Sequence, residues 1–209
     1  IGKSSKSFTV CLFGIDRPAL PANAEFARTL REAAELALGG VTLGTNFDPA
    51  SFAINISLDR HRIVGLYAGG TLCAEAQSLL IAAGESVRSN APISGALSIL
   101  DGDEFGDHEI IDLGADEYTL GRPHPMIEPA VRSDALTDAF ADPAVAVILL
   151  DVVIGYGAHE DPAGEIARAI DGAKKGAAIV ASVCGTDADP QVYTDQVKIL
   201  RRAGVVVAP

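Results

Sequence analysis

The sequence predicts an α/β fold: a doubly wound, parallel sheet of about five strands between two helical layers. Three observations predict it. From residue 60 onward, short β-branched runs alternate with segments of helical period, and parallel neighbours need such crossovers. The run 145–153, VAVILLDVV, is almost wholly apolar, as a strand covered on both faces must be. The chain has 209 residues, 48% of them apolar, enough to bury roughly 70% of its unfolded surface in a full core.

The elements follow in order. Residues 8–13 read as a buried strand that stops at Gly14. Residues 24–38 read as a helix, with Phe26, Ala27, Leu30, Ala34 and Leu38 on one face. Residues 39–59 are rich in Gly, Asn, Asp, Pro and Ser without period and read as a linker. Arg62 to Tyr67 is the next strand, and Leu72, Cys73, Ala76, Leu79, Leu80 and Ala83 form a helical stripe behind it. Residues 85–107 are loop-rich, with one short strand expected at 96–100. Then come a strand at 109–113, a helix at 132–141 with Val131 before it, the strand at 145–153 and a helix at 166–173. A strand at 177–183, a helix at 191–203 and a strand at 205–207 complete the pattern. From residue 60 this is the size of a flavodoxin-like domain, in which ligands sit outside the carboxyl ends of the strands.

Composition excludes several partners. Sixteen Lys and Arg against 28 Asp and Glu give a net charge of -12, which repels a phosphate backbone and argues against nucleic-acid binding. A small anionic substrate is compatible with a local positive site. The longest apolar stretch is far too short to span a bilayer, so no membrane partner is expected. Cys11, Cys73 and Cys184 are odd in number and widely spaced, which predicts free thiols in a reducing cytoplasm. The first residue is Ile, and we expect the chain to be a piece of something longer.

Four turns follow the strands. In Tyr67-Ala68-Gly69-Gly70-Thr71, paired glycines and a helix N-terminus suit an anion or phosphate, and Thr71 is placed to cap the helix. A plain Gly-rich turn with a Thr cap would look the same. The second turn runs Gly114 to Ile127 and contains Gly121-Arg122-Pro123-His124-Pro125. Two prolines restrict the backbone about His124. Arg122 offers a fork for carboxylate or phosphate, and His124 suits acid–base work or phosphoryl acceptance. A rigid loop tied to Asp112, Asp116 or Glu117 is the equal alternative. In the third turn, Asp151 ends its strand where it could orient a ligand, while contiguous His159, Glu160 and Asp161 cannot all face one ion. No metal is assigned, and Asp161-Pro162 reads as a helix cap with Pro at the first helical position. In the fourth, Asp189-Pro190 reads the same way, and Cys184 reads as an apolar thiol.

Residues 65–76 (GLYAGGTLCAEA), 111–114 (IDLG), 121–127 (GRPHPMI) and 150–158 (LDVVIGYGA) together resemble the FdrA family. These are acyl-CoA synthetase-like proteins related to succinyl-CoA synthetase. The resemblance covers residues 60–209 and implies a CoA-ligase domain there. It makes residues 1–40 a strand–helix remnant of a preceding α/β domain and residues 41–59 a linker. By this resemblance Gly114 and Gly121 join Gly69, Gly70 and Thr71 as anion-binding positions. His124 and Arg122 become the transfer groups, with Asp151 orienting. CoA and nucleotide would enter only through parts this chain lacks, so no cofactor is assigned. Homo- or hetero-oligomers with other enzyme subunits are expected. Two further readings remain: a component of an oxamate carbamoyltransferase, and a non-catalytic interaction domain.

Overall fold

The computed structural model describes residues 1–44, 47–48, 56–100, 108–172 and 176–209. Much of the expected linker, the end of the loop-rich stretch and Ala173 fall outside the described residues.

The chain folds as α/β, with a large parallel sheet flanked by helices. Its strands are β3 (Arg62–Tyr67), β4 (Val87–Ser89), β5 (Leu97–Ser98), β6 (His108–Asp112), β7 (Val145–Val153), β8 (Ala178–Cys184) and β9 (Val206–Ala208). They run in the order β5-β4-β6-β3-β7-β8-β9, every pair parallel. Five of these, β6-β3-β7-β8-β9, are the strands expected from the sequence. The short β4 and β5 extend the β6 edge to seven strands. Only β5 falls in an expected stretch. Three-residue β4 is too short to show a period.

Helices α2 (Gly70–Ala82), α3 (Asp116–Thr119), α4 (Ala130–Ala141), α5 (Pro162–Asp171) and α6 (Tyr193–Arg202) make the crossovers. The main core is built from Ile148, Leu150 and Val152 of β7 against Leu136, Ile166, Ile170, Val197 and Leu200. A smaller core of Tyr67, Cys73, Ala76, Val87 and Ile110 lies beneath α2. Burying each such aliphatic side chain contributes about 1.5–3 kcal/mol. No helix among the described residues is long and apolar enough to cross a membrane.

A separate two-stranded parallel sheet precedes this one: β1 (Phe8–Cys11) and β2 (Ala24–Ala27), followed by α1 (Leu30–Ala37). Here the structure corrects the expected helix over 24–38. Its first four residues are a strand in register with Phe8 to Cys11. The helix starts later because Thr29 caps it, its hydroxyl accepting from Glu32 N at 3.0 Å. Glu32 reaches back to accept from Arg28 N at 2.7 Å, close to a capping box. Leu30 N donates to Glu75 of α2 at 2.8 Å, tying the two parts together.

Two expected caps also change. Asp189 does not cap a helix. Its carboxylate accepts from Thr186 N at 2.6 Å and so closes a turn. Helix α6 begins at Tyr193, after Val192 has taken a left-handed φ of 57°. Thr71 caps nothing, because Gly69 occupies the cap position of α2. Asp161 does cap α5, accepting from Gly164 N at 3.0 Å with Pro162 in the first turn.

Candidate active site

Strands β3 and β7 are neighbours, and the chain leaves β3 toward β4 on one side of the sheet but leaves β7 toward β8 on the other. That switch point is where a doubly wound sheet opens a crevice at its carboxyl edge. Here Asp151 of β7 bridges the crevice. The residue is completely buried. Its carboxylate accepts from Ala68 N and Gly69 N, both at 2.8 Å. Its Oδ1 also meets the Arg132 guanidinium at 3.0 Å, and its carbonyl oxygen accepts from Arg132 at 2.7 Å.

Thus the first anion held by the paired-glycine turn belongs to the protein itself. The Gly69 N–H is engaged by Asp151, leaving Gly70 and Thr71 to meet any ligand at the α2 terminus. Both positions leave little room for a side chain. A Cβ on Gly69 would stand 3.1 Å from Asp151 Oδ2, and one on Gly70 would stand 2.9 Å from Asp112 Oδ2.

Arg132 is the residue the sequence hides. It sits on the inner face of α4, only 5% exposed, at a position expected to begin an ordinary amphipathic helix. Burial pulls its pKa down while Asp151 holds it up, and its Nε has no partner. The signal was available in principle, since an apolar strand carrying a single Asp needs a buried cation or neutralisation. The sequence does not say which cation answers it.

Asp112 ends β6 on the other side of β3. Its Oδ1 accepts from Gly114 N at 2.9 Å, and Asn90 grips its backbone from both sides at 2.9 and 3.0 Å. Burial raises its carboxyl above the ordinary value, outweighing the Gly114 N–H and the His124 charge, which lower it. His124 lies over the same spot. A Cβ on Gly114 would stand 2.6 Å from His124 Nε2, 2.7 Å from Ala68 O and 3.1 Å from Asp112 Oδ1. The imidazole, Asp112 and the paired-glycine turn therefore converge. Met126 N donates to His124 Nδ1 at 3.2 Å, so in the neutral ring the proton sits on Nε2, the nitrogen facing Gly114.

The loop holding His124 is tied to the turn after β7. His159 N donates to Met126 O at 2.7 Å. Gln191, nearly buried, accepts from Gly155 N and donates to the carbonyls of Gly155 and His159, each at 3.0 Å. Between the two loops lies a cavity of about 420 Å³ lined by His124, Met126, Ile127 and residues 153–158.

Arg122 is not part of this cluster. It is exposed and lines a different groove of about 440 Å³ with Arg62, Arg88, Glu109 and Tyr118. Gly121 is exposed with φ +74° and open space around it, a turn glycine rather than a close-approach one. Burial raises the Cys184 thiol's pKa and pushes that of Cys73 up to about 12. Neither is a thiolate nucleophile at neutral pH. Among the described residues no three His, Cys, Asp or Glu side chains converge as metal ligands.

A CoA-ligase family model matches residues 66–209, the whole of the large sheet beyond the first residues of β3. The chain belongs to the CoA-ligase family. That membership supports a succinyl-CoA synthetase-like domain. The chain is also similar to the uncharacterized protein YahF of Escherichia coli K12, 36% identical over 97% of this chain. It spans 43% of that protein's length.

Proposed function

We propose that this CoA-ligase domain is the FdrA-type part of an acyl-CoA synthetase-like protein. Its cleft outside β3, β6 and β7 binds a phosphate or acyl-phosphate anion. The observation that carries the reading is that His124 Nε2 packs against Gly114 beside the turn that leads into α2, so the imidazole and the start of α2 border one cleft. The free N–H groups at the start of α2 and the Nε2–H of His124 are donors suited to phosphoryl oxygens.

In this reading His124 touches the anion, its Nε2–H donating to a phosphoryl oxygen while Nδ1 accepts from Met126 N. Asp112 holds the Gly114 backbone beside it. Asp151 is a positioning residue that holds the Ala68-Gly69 backbone in place. Gly70, Thr71 and Gly114 supply backbone to the anion, with Gly69 indirectly engaged through Asp151. Arg122 and Gly121 belong to the rim, Arg122 serving as an outlying cation that draws anions toward the cleft. Acyl transfer to CoA, the nucleotide and any oligomeric partner belong to the longer protein in this proposal.

The test is titration of the chain with inorganic phosphate, followed by calorimetry. His124→Ala is expected to weaken binding at least about tenfold, the loss of one charge-assisted donor. Arg122→Ala should lower affinity by less and leave thermal stability within about 0.5 kcal/mol, as exposed positions do. Equal affinity in wild type and His124→Ala overturns the reading.

A further inference from the structure

The cavity beside His124 has an unusual lining for a family reading built on succinate. Its walls are Met126 and Ile127 on one side and Val153, Ile154, Tyr156 and Ala158 on the other. Apart from His124, the lining carries no acidic or basic side chain. Neither Arg132 nor Arg122 lines it: Arg132 is buried against Asp151, and Arg122 lines the other groove with Arg62 and Arg88.

From this lining we infer that the group carried beside the phosphate is an uncharged, apolar acyl group of the monocarboxylic class, not a dicarboxylic one. The inference rests on the anion site proposed above. A phosphoryl group held by His124 would direct its acyl tail toward the opening between the two loops, because His124 also lines that cavity. At about 420 Å³ the cavity is in the range of small-molecule pockets. It holds a short alkyl chain readily. A second carboxylate would lie against Ile127, Val153 and Ile154 with no cation to meet it, whereas an alkyl chain in the same place exchanges water for an apolar wall. The pocket's shape is fixed in advance, since Gln191 and the His159–Met126 hydrogen bond hold both loops.

The test uses stable phosphonate analogues, titrated into the full chain beside inorganic phosphate. Butyrylphosphonate is expected to bind at least about tenfold more tightly than succinylphosphonate, the methylenes gaining burial and the far carboxylate losing water. Ile127→Arg, at a half-exposed position that can accept a long side chain, should reverse that order by supplying the missing cation. Ala158→Leu should bring butyrylphosphonate down toward the affinity of phosphate alone. If phosphate binds but the two phosphonates bind equally, or succinylphosphonate binds better, the acyl inference falls while the anion site stands. If neither phosphate nor any phosphonate binds, the anion site falls and the inference with it.

Discussion

Asp151 and Arg132 form a buried ion pair, 3.0 Å apart, at the switch point of the sheet. The pair joins α4 to β7, and the same carboxylate fastens the paired-glycine turn after β3. Structure and candidate site thus share one side chain. A change at Arg132, which touches no ligand in our account, should be felt at Gly69.

Arg132→Met should therefore cost about 3–5 kcal/mol, the usual loss when one member of a buried pair is removed. Replacing both members, Arg132→Met with Asp151→Leu, should not restore stability. Ala68 N and Gly69 N would then lack an acceptor. Urea denaturation of the three variants checks this. Full recovery in the double variant would show that the backbone bonds contribute little.

Gly114→Ala places a methyl against His124 Nε2 and the Ala68 carbonyl. Backbone cannot yield cheaply, so a loss of about 1–3 kcal/mol is expected from overpacking. The His124 ring should shift in its NMR spectrum. An unshifted imidazole would mean that the two loops are less closely packed than described.

Asp112 carries a pH signature. Its folded-state pKa lies above the unfolded value, so its contribution to stability is fully present below the ordinary carboxylate range. That contribution is lost as pH rises through the elevated pKa. Asp112→Asn keeps an acceptor for Gly114 N and removes this loss. The variant should gain melting temperature relative to wild type at pH 7, and the gain should shrink as pH falls below about 4. A difference that grows on acidification contradicts the burial argument.

Val192 holds a β-branched side chain at φ 57°, a conformation costing on the order of 1–3 kcal/mol. Val192→Gly removes that strain at the expense of unfolded-chain entropy, about 0.5–1 kcal/mol. The expected result is equal or higher melting temperature. Any loss above that entropy term would mean that the Val side chain anchors Gln191 and the loop it holds.

The long-period features were legible before the structure. The five central strands, the α2 stripe and the Asp161-Pro162 cap all follow from local pattern, because each is encoded within a few residues. The β2 strand was misread because AEFA is too short to show a period and adjoins a true helix. The Asp189 turn was misread because Asp-Pro marks a helix start and a tight turn equally well. At the site, sequence spacing brought attention to His124 and the paired glycines. It could not show that Asp151 already holds Gly69, nor that Arg122 points to another groove. Those facts depend on how β3, β6, β7 and α4 meet, and no single segment contains them.

The most direct measurement is an amide chemical-shift titration of the chain with inorganic phosphate. We predict saturable shifts at Gly70, Thr71 and Gly114 together with the His124 ring, and little change at Arg62 or Arg88. Shifts confined to the arginine-lined groove, or none at Gly70, Gly114 and His124, would contradict an anion site at the carboxyl edge of the sheet.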